Sequence, residues 1–273
     1  MRLAISLVAV CVAASPVEGQ DQLAGHWNGY WWRAGDSMHV TLDLHRDAAT
    51  GRYAATFSAA RLRVAGIPFT ELRVDGCCDV MMTLRGDRTT AVFTGTLRGD
   101  SLTGTLEEST GNGRFAYGRA LKAAPSFVER EVTFKNGSVT LAGTLLLPQR
   151  TKAVAAVVFI HGSGAEGRWA SRYLATQLAS GGIAALIFDK RGVGGSSGDW
   201  RSATLEDLAA DGAAAVAFAR REATIDSARV GLHGHSQGGT LAPLVAARAQ
   251  NVAFIVGSAA AGVPTDSTEM FSF

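Results

Sequence analysis

Lysine is scarce in this 273-residue chain: Lys122, Lys135, Lys152 and Lys190 stand beside 22 arginines, and the formal net charge is only +2. The arginines are spread along the chain and form no run, so the sequence carries no basic patch of the kind that tracks phosphates, and no nucleic-acid partner is expected. No apolar stretch reaches the roughly 20 residues that a membrane-spanning helix needs, so no stable membrane insertion is expected. Cysteine is limited to Cys11, Cys77 and Cys78. Cys77 and Cys78 are neighbours and badly placed to bridge each other without strain. The expectation is therefore two small buried residues in a strand, with a redox-sensitive vicinal pair as the weaker reading, and no disulfide framework. Histidine is missing from the whole stretch after His235, an absence that bears on the chemistry below.

What is present begins with MRLAISLVAVCVAASPVEGQ: one positive charge at Arg2, an apolar core from Leu3 to Ala14, then small and polar residues. That is the layout of a secretory signal peptide, with cleavage expected after Ala14 or Gly19, and residues 1–19 are set aside from fold reasoning. A lipidated Cys11 is the weaker reading, because Val10 stands where a small residue should precede it. The expectation is export to the periplasm or the exterior.

Apolar residues make up 47% of the chain, enough to fill one large core or two modest ones. Two regimes divide it. From Trp27 to about Ala120, alternating segments are cut by turn residues: 39–46, 52–60, 70–76, 80–86, 91–99 and 101–109 predict strands of an antiparallel barrel or sandwich. The unit T-G-T-L on both sides of Gly99-Asp100 predicts two paired strands. The opening GHWNGYW is similar to the start of lipocalin-like barrels, where Trp27, Trp31 and Trp32 would plug an end or meet a ligand. Pro125 marks a linker, giving a β domain over 20–124 and a second domain over 125–273. There a hairpin around Asn136-Gly137 precedes apolar strands at 153–160, 183–189, 229–234 and 252–257, alternating with helices at 168–180, 204–221 and 237–250. Continuous apolar strands joined by helices predict a parallel α/β sheet.

The chemistry centres on GLHGHSQGG, residues 231–239. Gly234-His235-Ser236-Gln237-Gly238 is a G-x-S-x-G sequence with a strand before it and a helix after it, the setting of a nucleophile elbow. The glycines provide room, because a serine held in a strained turn brings residues two away on either side into close contact. Pro243 falls inside the following helix, where a lost hydrogen bond should bend it.

From Glu131 onward the chain resembles the α/β-hydrolase fold. The elbow GHSQGGTLAP follows the fifth strand, His161-Gly162-Ser163-Gly164 closes the third, and FDKRGVGGSSG (188–198) is similar to the loop after the fourth. Closest are bacterial esterases and serine aminopeptidases with a β-rich domain ahead of the hydrolase domain. The resemblance implies that Ser236 is the nucleophile and that the backbone N–H groups of Ser163 and Gln237 form the oxyanion hole. His161 and the Ser163 hydroxyl would fix the loop opened by Gly162, and Asp189 and Arg191 would shape theirs. It also implies an acid and then a histidine after the serine. No histidine follows Ser236, and the only later carboxylates are Asp266 and Glu269, with Asp266 the candidate acid. His235, beside the nucleophile, is not expected to be the base. Six strands are counted where the family has eight, so the expectation is an incomplete α/β-hydrolase sheet, C-terminally truncated, with an apolar edge prone to aggregate and negligible turnover on its own. A pseudoenzyme or a split protein are the alternatives.

One rival remains. Gly162-Ser163-Gly164-Ala165-Glu166-Gly167 spells G-x-G-x-x-G, with Asp189 placed as a dinucleotide fingerprint wants. Glu166 opposes it by standing where a pyrophosphate should meet the helix. The sequence therefore predicts an exported serine hydrolase acting by acyl transfer on carboxylic esters, or on peptides as an aminopeptidase, with a small-molecule substrate and no metal or organic cofactor. A secreted lipid- or glycan-binding protein with a non-catalytic α/β scaffold is the alternative from another class. Oligomeric state is left open.

Overall fold

The computed structural model describes residues 22–86, 89–150 and 152–260. The expected leader with Cys11, and Asp266 and Glu269, lie outside the described residues. The chain divides into two compact units, the first made mainly of residues up to Ala120 and the second of Leu121 onward, with 38–41 and 56–68 grouped with the second.

The N-terminal half forms one antiparallel sheet of nine strands: β1 (Gly25–Arg33), β2 (Asp36–Arg46), β3 (Tyr53–Ala59), β4 (Val64–Pro68), β5 (Glu71–Asp75), β6 (Asp79–Arg85), β7 (Thr90–Arg98), β8 (Ser101–Glu108) and β9 (Gly111–Ala120). Their order is β4-β3-β2-β1-β9-β8-β7-β6-β5. Flat, such a sheet would hold its outer strands roughly 40 Å apart. Yet β4 and β5 are joined through Phe69 and Thr70 alone, a link that reaches only about 11 Å. The sheet must curl on itself, and it does so as a half-barrel, not a sandwich. Alternation fills its concave side: Val40, Leu42 and Leu44 of β2, Phe93 and Leu97 of β7, and Phe115 and Tyr117 of β9 are all buried. The T-G-T-L units pair as expected, with Thr94 opposite Thr105, Gly95 opposite Gly104 and Leu97 opposite Leu102. Trp27 is fully buried, its indole N–H donating to the Leu23 carbonyl at 3.1 Å and its ring lying 4.4 Å beneath the Arg119 guanidinium. Trp31 packs on Phe93 and donates to the Tyr117 hydroxyl. Trp32 lies under Arg114.

Cys77 and Cys78 depart from expectation. They occupy the turn between β5 and β6, Cys77 exposed and Cys78 half-buried, and they are joined as a vicinal disulfide. A turn that ends a strand pair frees the backbone from the extended geometry that would keep successive side chains on opposite faces.

The second sheet contains β10 (Phe127–Asn136), β11 (Val139–Pro148), β12 (Val154–Ile160), β13 (Ala184–Phe188), β14 (Ile225–His235) and β15 (Ile255–Ser258), in the order β10-β11-β13-β12-β14-β15. β10, β11 and β13 pair antiparallel, whereas β13, β12, β14 and β15 run parallel. Helices α1 (Trp169–Ser180), α2 (Leu205–Arg220) and α3 (Gln237–Ala249) make the crossovers. Successive residues of β12 serve opposite faces: Val157 and Phe159 pack with Ala175 and Ala179 of α1, and Ala156, Val158 and Ile160 pack with α2 and α3. Thr204 caps α2 by accepting from the Asp207 N–H at 3.1 Å while Asp207 accepts from the Thr204 N–H at 2.9 Å. α3 runs on through Pro243 to Ala249. This strand order, with its antiparallel start and parallel remainder, is that of an incomplete α/β-hydrolase sheet. Ile255 and Val256 of β15 are exposed at 43% and 48%. Among the described residues, no helix is long and apolar enough to cross a membrane.

Candidate active site

β14 leads into α3 with a single residue between them, Ser236, at φ 51° and ψ −121°. For a side chain with a Cβ this is strained backbone, and it persists only where the surroundings impose it. The surroundings are visible at both glycines. A Cβ on Gly234 would lie 2.1 Å from the Gly238 carbonyl oxygen, and one on Gly238 would lie 2.3 Å from that of Ile160. Neither oxygen can move, because both belong to backbone packed inside the unit. The Ser236 N–H donates to the Ser258 carbonyl at 2.9 Å, which ties the bend to the end of β15. The Ser236 hydroxyl, half-buried, has no hydrogen-bond partner among the described residues.

The two backbone segments named for the oxyanion hole are brought together by a residue that sequence reasoning did not single out. Lys190 is 2% exposed, and its ammonium donates to the carbonyls of Gly162 at 2.9 Å and Gly164 at 3.2 Å and to the side-chain oxygen of Gln237 at 3.4 Å. Trp200 covers it at 5.3 Å. Burial pushes the Lys190 amine below its ordinary pKa, against the pull of Glu166. The lysine thus joins the loop at 161–167, the loop after β13 and the elbow. Its signal in the sequence is only its position beside Asp189, and three loops must fold before it has partners.

The other predicted loop residues are tied down. His161 donates from Nε2 to the Phe188 carbonyl and stacks edge-on against the Phe188 ring at 4.4 Å. Burial, aided by the nearby Lys190 charge, pushes its pKa down to about 4, so the imidazole is neutral near pH 7. Gly162 donates to the Glu166 carboxylate at 2.7 Å, and Ser163 is exposed. Burial opposes ionisation of Asp189, but bonds from the Arg168 guanidinium and from the N–H groups of Arg168 and Gly195 hold its carboxyl below the usual range. Arg191 grips Asp211 of α2 with a two-point pair at 2.6 and 2.8 Å, and Asn136 donates to the same carboxylate. Two carboxylates, Glu166 of this loop on the Gly162 N–H and Asp189 from the end of β13 on the Arg168 N–H at the start of α1, thereby stand where the dinucleotide reading would seat a phosphate.

Among the described residues, no histidine bonds to Ser236. His235 is exposed and meets the Ser258 hydroxyl at 3.2 Å, and His233 meets the same hydroxyl at 3.3 Å. Burial, with His235 adding to it, lowers the His233 pKa. No cluster of three or more histidine, cysteine, aspartate or glutamate side chains able to hold a metal occurs among the described residues.

Residues 151–271 match the family model described as serine aminopeptidase, S33. No curated protein matches significantly. Among solved structures, a hypothetical protein of Pseudomonas aeruginosa is 27% identical with a TM-score of 0.47, over 52% of this chain and 45% of that one. A dienelactone hydrolase of Anabaena variabilis is 27% identical with a TM-score of 0.43, over 50% of this chain and 64% of that one. An esterase of Pyrococcus furiosus is 24% identical with a TM-score of 0.43, over 52% and 54%. The chain thus spans less than two thirds of the length of each. At such scores these likenesses add no weight to the topology. The strand order and the sharp strand-to-helix bend at Ser236 give the second unit an α/β-hydrolase-superfamily fold.

Proposed function

We propose that the second unit belongs to an exported serine hydrolase that cleaves carboxylic esters by acyl transfer, with the Ser236 hydroxyl as nucleophile and the N–H groups of Ser163 and Gln237 as donors to the oxyanion. The observation that carries this reading is the backbone of Ser236, held at φ 51° between glycines that have no room for a Cβ. Backbone strain of that kind persists where function uses it.

Lys190 supports the donor assignment through peptide geometry. The carbonyl of Gly162 and the N–H of Ser163 belong to one planar trans peptide and point in opposite directions. An ammonium bound to that oxygen at 2.9 Å therefore fixes the peptide with its N–H turned away from the lysine, and polarises it toward stronger donation. Gln237 opens α3, where the first N–H groups lack partners within the helix and carry its positive end. Each such donor is worth about 10²–10³ in rate to a tetrahedral oxyanion. The serine still requires a base oriented by a third group, and among the described residues neither bonds to it. Export is part of the same proposal.

The test uses the full-length protein. It should hydrolyse p-nitrophenyl acetate and take up a fluorophosphonate probe, and Ser236→Ala should lose both while keeping its melting temperature. Equal rates in the two proteins would remove Ser236 from the reaction. The serine aminopeptidase family match supplies the second reading, peptide cleavage, which an aminoacyl p-nitroanilide turned over faster than the ester would favour.

A further inference from the structure

The first unit contains a half-open cavity of about 270 Å³ between the β2–β3 hairpin and the β5–β6 hairpin. It is smaller than the roughly 300–1,000 Å³ of sites for drug-sized ligands, which limits an occupant to a short chain or a single ring. Its apolar lining comes from Leu23, Leu72 and Val74, and its charged lining is of one sign, Arg46 and Arg52 with no acidic residue. The two arginines differ in readiness. Arg46 is pre-positioned, donating from Nε to the Gly51 carbonyl at 2.9 Å and lying 5.8 Å from the centre of the Tyr53 ring. The guanidinium of Arg52 has no hydrogen-bond or ion-pair partner among the described residues. Tyr53 also lines the cavity, and its hydroxyl is the buried side-chain polar atom that lacks a partner there. The accessible part of Tyr53 therefore meets an occupant through its ring, beside Arg46.

We propose that this cavity binds a small amphiphilic carboxylate, its anionic head held by Arg46 and Arg52 and its apolar body against Leu23, Leu72 and Val74. A carboxylate fits better than a neutral alcohol because a guanidinium donates to its two oxygens in parallel. An amine is repelled by two like charges. The mounting of the floor is equally specific: Leu23 is 2% exposed and is held from behind by the fully buried Trp27, whose indole N–H bonds its carbonyl. The site is separate from Ser236 in residues and in chemistry, so it stands or falls independently of the hydrolase reading.

Isothermal titration of the full chain with octanoate tests the proposal, with 1-octanol and octylamine as matched controls of the same length. Octanoate should bind at a single site, at least about tenfold more tightly than either control. Arg52→Gln should weaken it about tenfold, and Arg46→Gln with Arg52→Gln should abolish it. Arg98→Gln, at a residue that does not line the cavity, should leave it unchanged. Val74→Trp should block binding by filling the space, and if that variant does not fold, the exposed Arg52 alone decides the matter. Octanoate that fails to bind, that binds no better than octanol, or that is indifferent to both arginines overturns the proposal.

Discussion

The α-carbon of Gly238 faces the carbonyl oxygen of Ile160 so closely that a methyl group there would sit 2.3 Å from it. Gly238→Ala should therefore force the elbow away from β12 and destabilise the unit by about 1–3 kcal/mol, the usual range for overpacking. Urea denaturation reads the loss, with Gly118→Ala as control. A Cβ on Gly118 meets nothing within 4 Å, and that variant should fall within about 0.5 kcal/mol of the parent.

Ser236 is the converse case, a side chain where glycine would be comfortable. Ser236→Gly removes the steric cost of φ 51° and should raise stability by about 1 kcal/mol while eliminating fluorophosphonate uptake. Stability gained and reactivity lost at one position is the signature of strain kept for chemistry. A variant less stable than the parent would show that the bend is relaxed.

How much of this could be read from residues alone differs between the two halves. The elbow was legible because its requirements are local: a strand, one strained residue, two glycines and a helix lie consecutively in the chain. The pairing of the two T-G-T-L units was legible for the same reason. β1, β4 and β9 were not among the predicted strands, although the GHWNGYW stretch of β1 was read as the start of a barrel. VAGIP (64–68) lacks alternation and ends in proline, and GNGRFAYGRA (111–120) places three glycines among polar residues, so each resembles turn chemistry until neighbouring strands supply its hydrogen bonds. Lys190 escaped because its partners lie far from it in sequence, Gly162 and Gly164 in the loop after β12 and Gln237 at the start of α3. Cys77 and Cys78 were placed in a buried strand because adjacency alone does not reveal that the chain turns there.

Lys190→Met keeps the stem and removes the ammonium. If the Gly162 carbonyl anchors the Ser163 peptide, kcat for ester hydrolysis by the full-length protein should fall about tenfold or more with KM little changed. A rise in KM at constant kcat would instead assign the lysine to substrate binding.

Acid should act first on His161. Its folded pKa of about 4 lies below the ordinary 6.5, so the unfolded chain binds a proton that the folded one refuses. The stability this contributes is complete above pH 6.5, declines as pH falls, and is lost through pH 4. His161→Gln should be free of that decline. Between pH 7 and pH 4.5 the parent should lose about 2–3 kcal/mol more than the variant, measured by denaturant melts. Asp189, whose carboxyl is depressed, adds a second loss at lower pH, below the ordinary carboxylate range.

The Asp189 carboxylate also has a mechanical consequence. It receives the first N–H of the α1 region from Arg168, the N–H of Gly195 and the Arg168 guanidinium, while its own carbonyl takes the Ser196 hydroxyl. A helix start, a strand end and a glycine-rich loop thus share one hinge pin, and none can open without breaking bonds that hold the other two. In hydrogen exchange the amides of Arg168 and Gly195 should behave as one cooperative opening unit, so the glycines that surround Lys190 lend that loop far less freedom than their number suggests.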